Sequence, residues 1–593
     1  MNNFKQYFKS QFFIIALLFL LIVTWSSCSS ENKKNDQDFT TVFEKSDGLK
    51  TATYQETITF YEALADTYPQ INIQAIGETD SGKPLHIVSL NSEANFNFSE
   101  VKKTKRLILI NNGIHPGEPD GIDATMMLFR DIVQGKVDMP KTTVLVAIPI
   151  YNIGGSLNRN STTRTNQNGP EEYGFRGNAR NFDLNRDFIK CDTKNARTFA
   201  KIYHLLEPDV FIDNHVSNGA DYQYTLTHLF TQHNKLGGEL GEFLHTKMMP
   251  ELEHKLSEKN WEITPYVNVF NSTPEKGFSQ FMDSPRYSTG YTTLFNSLGM
   301  MVETHMLKPY KQRVEGTYDL MKSMIEITEN EGETISSLRK NALDILRKKK
   351  TYPLQWAIDT TRSSTLQFKG YEGARIDSDL TGAKRLQYDT TKPFTKPVEY
   401  RNYMTSTLEV NIPSAYVIPQ GWWTVIDLLK LNNVEMRPFE NDTVISVQSY
   451  KIKDYETRKS PYEGHYSHYN VELTISEEKV NFMKGDFIIY TNQNAFRYLL
   501  ETLEPQAPDS FFSWNFFDTI LQQKEGFSPY VWEDKAKELL ADNPQLQDEF
   551  NAKKTSDTDF ANNWYAQLDW LHKKSSNYEK AHLQYPIYKL FTN

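Results

Sequence analysis

The sequence predicts an α/β fold: a mixed, largely parallel sheet flanked by helices, followed by a C-terminal α+β accessory region. Three observations predict it. The continuous apolar runs "RLILINN" (106–112) and "TVLVAIPI" (143–150) have strand length and read as strands buried on both faces. Between them, Ile122, Met126, Phe129 and Val133 recur at helical spacing. The segment "NARTFAKIYHLLEP" is helical again, stopped by Pro208, and leads into the strand "DVFID". Alternating strands and helices belong to an α/β domain, and such sheets bind ligands beyond the carboxyl ends of their strands.

In chain order, the first segment is a targeting signal. Lys5 and Lys9 give a basic start, and residues 12–23 form an unbroken apolar run too short to span a bilayer comfortably. Ser26 and Ser27 then precede Cys28. This resembles a bacterial lipoprotein signal over residues 1–27, with Trp25 where the cleavage box usually has Leu. The resemblance implies a lipidated Cys28 and a protein exported to the cell envelope, anchored on the periplasmic or outer-membrane side. Residues 28–45 ("CSSENKKNDQDF…") are polar and charged and read as a flexible tether. Residues 46–349 hold the α/β pattern, closed by a long helical stretch from about residue 309 that ends in "RKKK". From 350 to 593 the texture changes. "LEVNIPSAYVIP" and "YNVELTI" read as strands and Trp422 to Leu431 as a helix, and the last hundred residues are helical and rich in Trp and Phe.

At 593 residues the chain exceeds one compact core. Its net charge of −10 is spread along the chain, which gives no support for nucleic-acid binding. Cys28 and Cys191 are the two cysteines, so a lipidated Cys28 leaves Cys191 without an intrachain partner and no disulfide framework. Cys191 reads as a packing residue.

The chemistry-bearing residues lie where the strands end. His115 and Glu118 stand in "NNGIHPGEPDG", and His215 ends "DVFIDNH". Pro116-Gly117 makes the first pair a tight turn, which folds an imidazole and a carboxylate back toward one point. Each motif alone also fits a surface turn or a structural histidine. Together they supply two imidazoles and one carboxylate and leave a fourth position open, the donor set of a catalytic zinc site. Asp213 shares the strand face of His215. "FRGNARNFDLNRDF" adds an arginine cluster, and "GMMVETH" places Glu303 on a strand, with His305 on the same face.

The ordered set "HPGE", "PIYNIGG", "FRGNARNFDLNRDF", "FIDNH" and "MMVETH" resembles the M14 family of zinc carboxypeptidases, as does "IGETDSGKPLHIVSL" (76–90). The likeness covers roughly residues 50–345. It implies a zinc carboxypeptidase-like fold and one zinc ion per chain, held by His115, Glu118 and His215. It implies Glu303 as general base and acid, and Asn185 and Arg186 as the grip on a free C-terminal carboxylate. Asp183 would orient His115. Arg176 would stabilise the charged carbonyl oxygen, with Arg180 as the competing candidate. Tyr287 or Tyr291 would close over the substrate, and Tyr287 fits the local pattern better. Gly117 stands where many members carry Arg, so one substrate contact is lost or replaced. The implied activity is removal of C-terminal amino acids from peptides. Two alternatives remain: an amidohydrolase for peptidoglycan stem peptides or acylated amino acids, and a non-catalytic binding lipoprotein. His305, and His465 and His468 in "EGHYSHYN", read as structural residues.

Overall fold

The computed structural model describes residues 38–591. The residues read as a signal, Cys28 and most of the span read as a tether lie outside the described residues. Val42–Lys45, within the span read as tether, is a short helix closed by a capping box in which the Thr41 side chain and Glu44 satisfy each other's backbone N–H groups.

Eight strands form the main sheet: β1 (Ile71–Glu78), β2 (Pro84–Leu90), β3 (Arg106–Asn111), β4 (Thr143–Ile148), β5 (Val210–Ser217), β6 (Leu226–Phe230), β7 (Ile263–Pro265) and, after a two-residue β8 (Phe278–Ser279) elsewhere, β9 (Leu298–His305). Their order is β1-β2-β4-β3-β5-β9-β6-β7. The central strands β4, β3, β5 and β9 are parallel, β2 and β6 run antiparallel to β4 and β9, and β1 pairs antiparallel with β2 at the edge. Every residue of β3, β4 and β5 is buried, as strands covered on both faces must be. Helix Asp120–Val133 and the 38-residue helix Tyr310–Arg347 pack on each other, and the longer one also lies against β3, β4, β6 and β9.

His215 differs from its expected place. It lies within β5, not just after it, because pairing with β9 continues through Ser217 and sets His215 opposite Glu303. The polar run Asn214-His215 resembles a strand end, but the ladder carries it.

The accessory region has its own sheets. β10 (Thr351–Ile358) pairs with β13 (Met404–Asn411), and β11 (Ser364–Asp377) pairs with β12 (Lys384–Arg401) as a long hairpin. A six-stranded sheet joins β14 (Ala415–Ile418), β15 (Arg437–Pro438), β16 (Thr443–Thr457), β17 (His468–Phe482), β18 (Phe487–Tyr490) and β19 (Tyr588–Leu590). Four helices between residues 529 and 574 follow the pattern expected of the last hundred residues. The region is fused to the α/β part. β12 pairs in parallel with β8, and Phe368, Val398 and Tyr400 share one core with Tyr222, Tyr224, Val267 and Phe278. Cys191 is a free, buried thiol. Among the described residues no helix is long and apolar enough to cross a membrane.

Candidate active site

β3, β5 and β9 run parallel, so their carboxyl ends deliver side chains to one edge. Beyond β3, the chain makes a tight turn in which the Glu118 N–H donates to the His115 carbonyl at 2.8 Å. That turn brings His115 and Glu118 to His215, and the three ligand atoms all lie within 4.8 Å of one another. His115 Nδ1 is 3.4 Å and His215 Nδ1 3.3 Å from Glu118 Oε2. Ligands about 2.0–2.2 Å from a tetrahedral zinc ion stand about 3.3–3.6 Å apart, the spacing at which Glu118 Oε2 stands from each imidazole.

The outer face of each imidazole is also committed. His115 Nε2 lies 2.9 Å from Asp183 Oδ1, and His215 Nε2 lies 2.9 Å from Asp213 Oδ2. A carboxylate behind each ring fixes the Nε2–H tautomer and turns the Nδ1 lone pair inward, the arrangement usual around metal-ligating histidines. Asp213 is itself anchored by Ser288 Oγ at 2.5 Å and Asn111 Nδ2 at 2.9 Å. Asp213→Asn is expected to weaken zinc affinity about 10–100-fold. A competitive chelator titration measures this, and unchanged affinity would remove Asp213 from that role.

Glu118 is buried and anionic. Burial opposes its charge, but Arg164 and then His115 outweigh it and hold its carboxyl well below the usual range. The Val216 N–H also donates to Oε2 at 2.9 Å. Burial disfavours a charged His215, yet Asp213 and Glu118 hold its pKa well above the ordinary imidazole value.

Around these ligands is a cleft of about 460 Å³. Of the residues expected in the site, Arg176, Asn185, Arg186, Tyr287 and Glu303 line it, and Arg180 and Tyr291 do not. Arg176 bonds Asp183 Oδ2 through Nε at 3.0 Å, and its Nη1 lies 3.6 Å from Glu118 Oε1. Arg180 instead donates to the Asp192 carbonyl at 2.9 Å. Arg186 sits with its guanidinium 4.5 Å from the centre of the Tyr287 ring. Tyr291 is fully buried and donates to Asn432 Oδ1 at 2.7 Å. Asn185 accepts the Ser288 N–H at 3.1 Å, which ties the Leu184–Arg186 turn to the start of the helix Ser288–Thr293. His305 lies outside the cleft, 3.1 Å from Asp221 and stacked on Tyr222.

Glu303 is half-buried at the cleft floor, and its carboxylate makes no hydrogen bond among the described residues. Burial pushes its pKa up to about 7, against the pull of His215 and with the push of Glu118. A carboxyl poised near neutrality both takes and returns a proton.

Sequence reasoning missed Arg164. Its Nη1 bonds Glu118 Oε1 at 2.8 Å, so one carboxylate oxygen faces the imidazoles and the other faces a guanidinium. It lies directly over Gly117, where an added Cβ would come within 2.6 Å of Arg164 Cδ. The glycine makes room for an arginine that arrives from a different loop. The one available signal was Gly117 itself, which left a gap without saying what fills it.

A mixed α/β sheet gathers two imidazoles, a carboxylate, a lone glutamate and two arginines in one cleft, the parts of a zinc-dependent hydrolase. Residues 57–210 match the family model described as zinc carboxypeptidase, Peptidase_M14. That match, the carboxypeptidase relatives and the His115–Glu118–His215 cluster together support a zinc-dependent carboxypeptidase activity. It is 20% identical to Carboxypeptidase 2 of Trichophyton rubrum over 492 residues, covering 79% of this chain and 85% of that one. To Carboxypeptidase 2 of Trichophyton equinum it is 21% identical over 496 residues, with the same coverage. Among solved structures, a metallo-carboxypeptidase from Burkholderia cenocepacia aligns with a TM-score of 0.36 and 13% identity over 47% of this chain and 70% of that one. Carboxypeptidase A from Helicoverpa armigera aligns with a TM-score of 0.35 and 12% identity over 47% and 74%.

Proposed function

We propose that this cleft removes single residues from peptides with a free C-terminal carboxylate, with Glu303 moving the proton and Arg186 anchoring the terminus. The observation that carries the reading is the presence of Glu303, the His115–Glu118–His215 cluster and the Asn185–Arg186 grip in one cleft. His115, Glu118 and His215 would hold one zinc ion per chain, which when bound acidifies water and polarises the scissile carbonyl. A Glu303 oxygen accepts the proton of the attacking water and hands it to the amide nitrogen as the C–N bond breaks. Arg176, with much of its side chain exposed to the cleft, donates to the carbonyl oxygen as charge develops there. Arg186 and Asn185 bind the terminal carboxylate, and Tyr287 covers it. Asp183 and Asp213 keep the two imidazoles aligned.

Leu229 and Met301, a cross-strand pair, line the same cleft with Phe281, which packs edge-on against Tyr287 at 5.1 Å. These apolar walls favour an apolar terminal residue. The basic start, the short apolar run and Cys28 support export to the cell envelope with a lipid anchor on Cys28, on the periplasmic or outer-membrane side.

Mass spectrometry of a mixed peptide pool incubated with the zinc-loaded protein tests the reading. Stepwise loss of C-terminal residues is expected, fastest at apolar ends and absent from C-terminally amidated copies. Equal cleavage of amidated copies would overturn it. Loss confined to muropeptides or acylated amino acids would move the substrate to the cell wall or to acyl amino acids and keep the chemistry.

A further inference from the structure

The ten-residue loop between β16 and β17, more than 270 residues from the grip segment in sequence, reaches the carboxylate anchor. Its tip is a two-residue turn. Tyr462 and His465 exchange backbone hydrogen bonds at 2.8 and 3.1 Å, and between them Glu463 and Gly464 take φ of 50° and 80°. Two successive positive φ values are the mark of a type I′ hairpin turn. Three side chains of this tip then contact residues 183–192. The Tyr462 hydroxyl oxygen accepts the Arg186 Nε–H at 2.7 Å. Glu463 Oε2 accepts the Asp183 backbone N–H at 2.9 Å, and His465 Nε2 lies 2.8 Å from Asp192 Oδ2.

The tip is braced from behind. The Tyr462 ring stacks on Trp514 at 6.2 Å, and Arg286 lies 5.0 Å from the Trp514 ring centre while bonding the buried Asp509 at 2.7 Å. Arg286 immediately precedes Tyr287, so the same brace touches both sides of the grip.

Arg186 is therefore held at three points. Nε donates to Tyr462, Nη1 donates to the Asn185 carbonyl at 2.8 Å, and the guanidinium plane rests on Tyr287. Nη2 has no hydrogen-bond partner among the described residues, and the side chain lines the cleft. A guanidinium is planar, so fixing one edge aims the remaining donors.

We propose that Tyr462 is a positioning residue for the substrate's terminal carboxylate, and that the accessory region thereby completes the pocket that recognises a free C-terminus. Without the hydroxyl, Arg186 keeps its charge but loses the contact that orients its fork, and the substrate must order it on binding. This rests on the reading of Arg186 as the carboxylate anchor.

The test is a double-mutant cycle in the full protein with Tyr462→Phe and Arg186→Ala, assayed on an N-blocked dipeptide ending in Phe. Tyr462→Phe retains the ring that stacks on Trp514, so the fold is preserved, and thermal unfolding verifies this. KM is expected to rise about tenfold with kcat changed less than about twofold. In the Arg186→Ala background the same substitution is expected to add nothing. An unchanged KM for Tyr462→Phe, or a full additional effect without Arg186, overturns the proposal. An Arg186→Ala protein with normal KM overturns the anchor reading beneath it, and the proposal with it.

Discussion

Glu303→Gln is expected to retain its zinc and its fold and to lose about 10²–10⁴-fold in kcat. The substitution is nearly isosteric. Because the Glu303 carboxylate makes no hydrogen bond among the described residues, the folded protein loses little when the charge is removed. A carboxamide cannot accept the proton of the attacking water, so the loss falls on turnover. Metal analysis by mass spectrometry and kcat on an N-blocked dipeptide are the two measurements. Activity within about tenfold of the parent would take Glu303 out of the base role.

The second large effect is on the metal. His215→Ala removes one of the three convergent donors and leaves Glu118 and Asp213 as buried carboxylates without the imidazole between them. Zinc content should fall to near zero, and activity with it. A loss of metal is separated from a loss of fold by thermal unfolding with and without added zinc. The parent should shift upward with zinc because the ion binds the folded state, and the variant should show no shift. A variant that still binds stoichiometric zinc would sink the ligand assignment.

Much of the α/β part was legible because its signals are local. The runs 106–112 and 143–150 became β3 and β4 within two residues at their ends, since strands buried on both faces leave a continuous apolar trace. His115 and Glu118 were readable from a Pro-Gly turn. What stayed hidden depends on distance along the chain. Tyr462 meets Arg186 across 276 residues, and Arg164 meets Glu118 across 46, and no periodicity records such a meeting. The extent of the hairpins was also obscure. β16 and β17 are 15 residues each, but much of both is exposed, so the apolar alternation that marks a half-buried strand is broken. "YNVELTI" therefore showed only the beginning of β17. The Glu463-Gly464 turn lacks the usual Asn or Asp before its glycine, which removed the one short-range hairpin signal.

The single turn Leu184–Arg186, capped by Asp183, has two duties. At its start Asp183 holds the imidazole of His115, and at its end Arg186 faces the cleft. On the proposed reading, the reacting centre and the carboxylate anchor are thus fixed to opposite ends of one short piece of backbone, which sets their separation. An extended chain advances about 3.3–3.6 Å per residue, so such a fixed span works as a ruler. With the terminus seated, one bond alone falls at the reacting centre. A longer bite, such as a dipeptide, would put the wrong atoms there. On that reading, trimming proceeds one residue per binding event, and the substrate must release and reseat its new end before each cut.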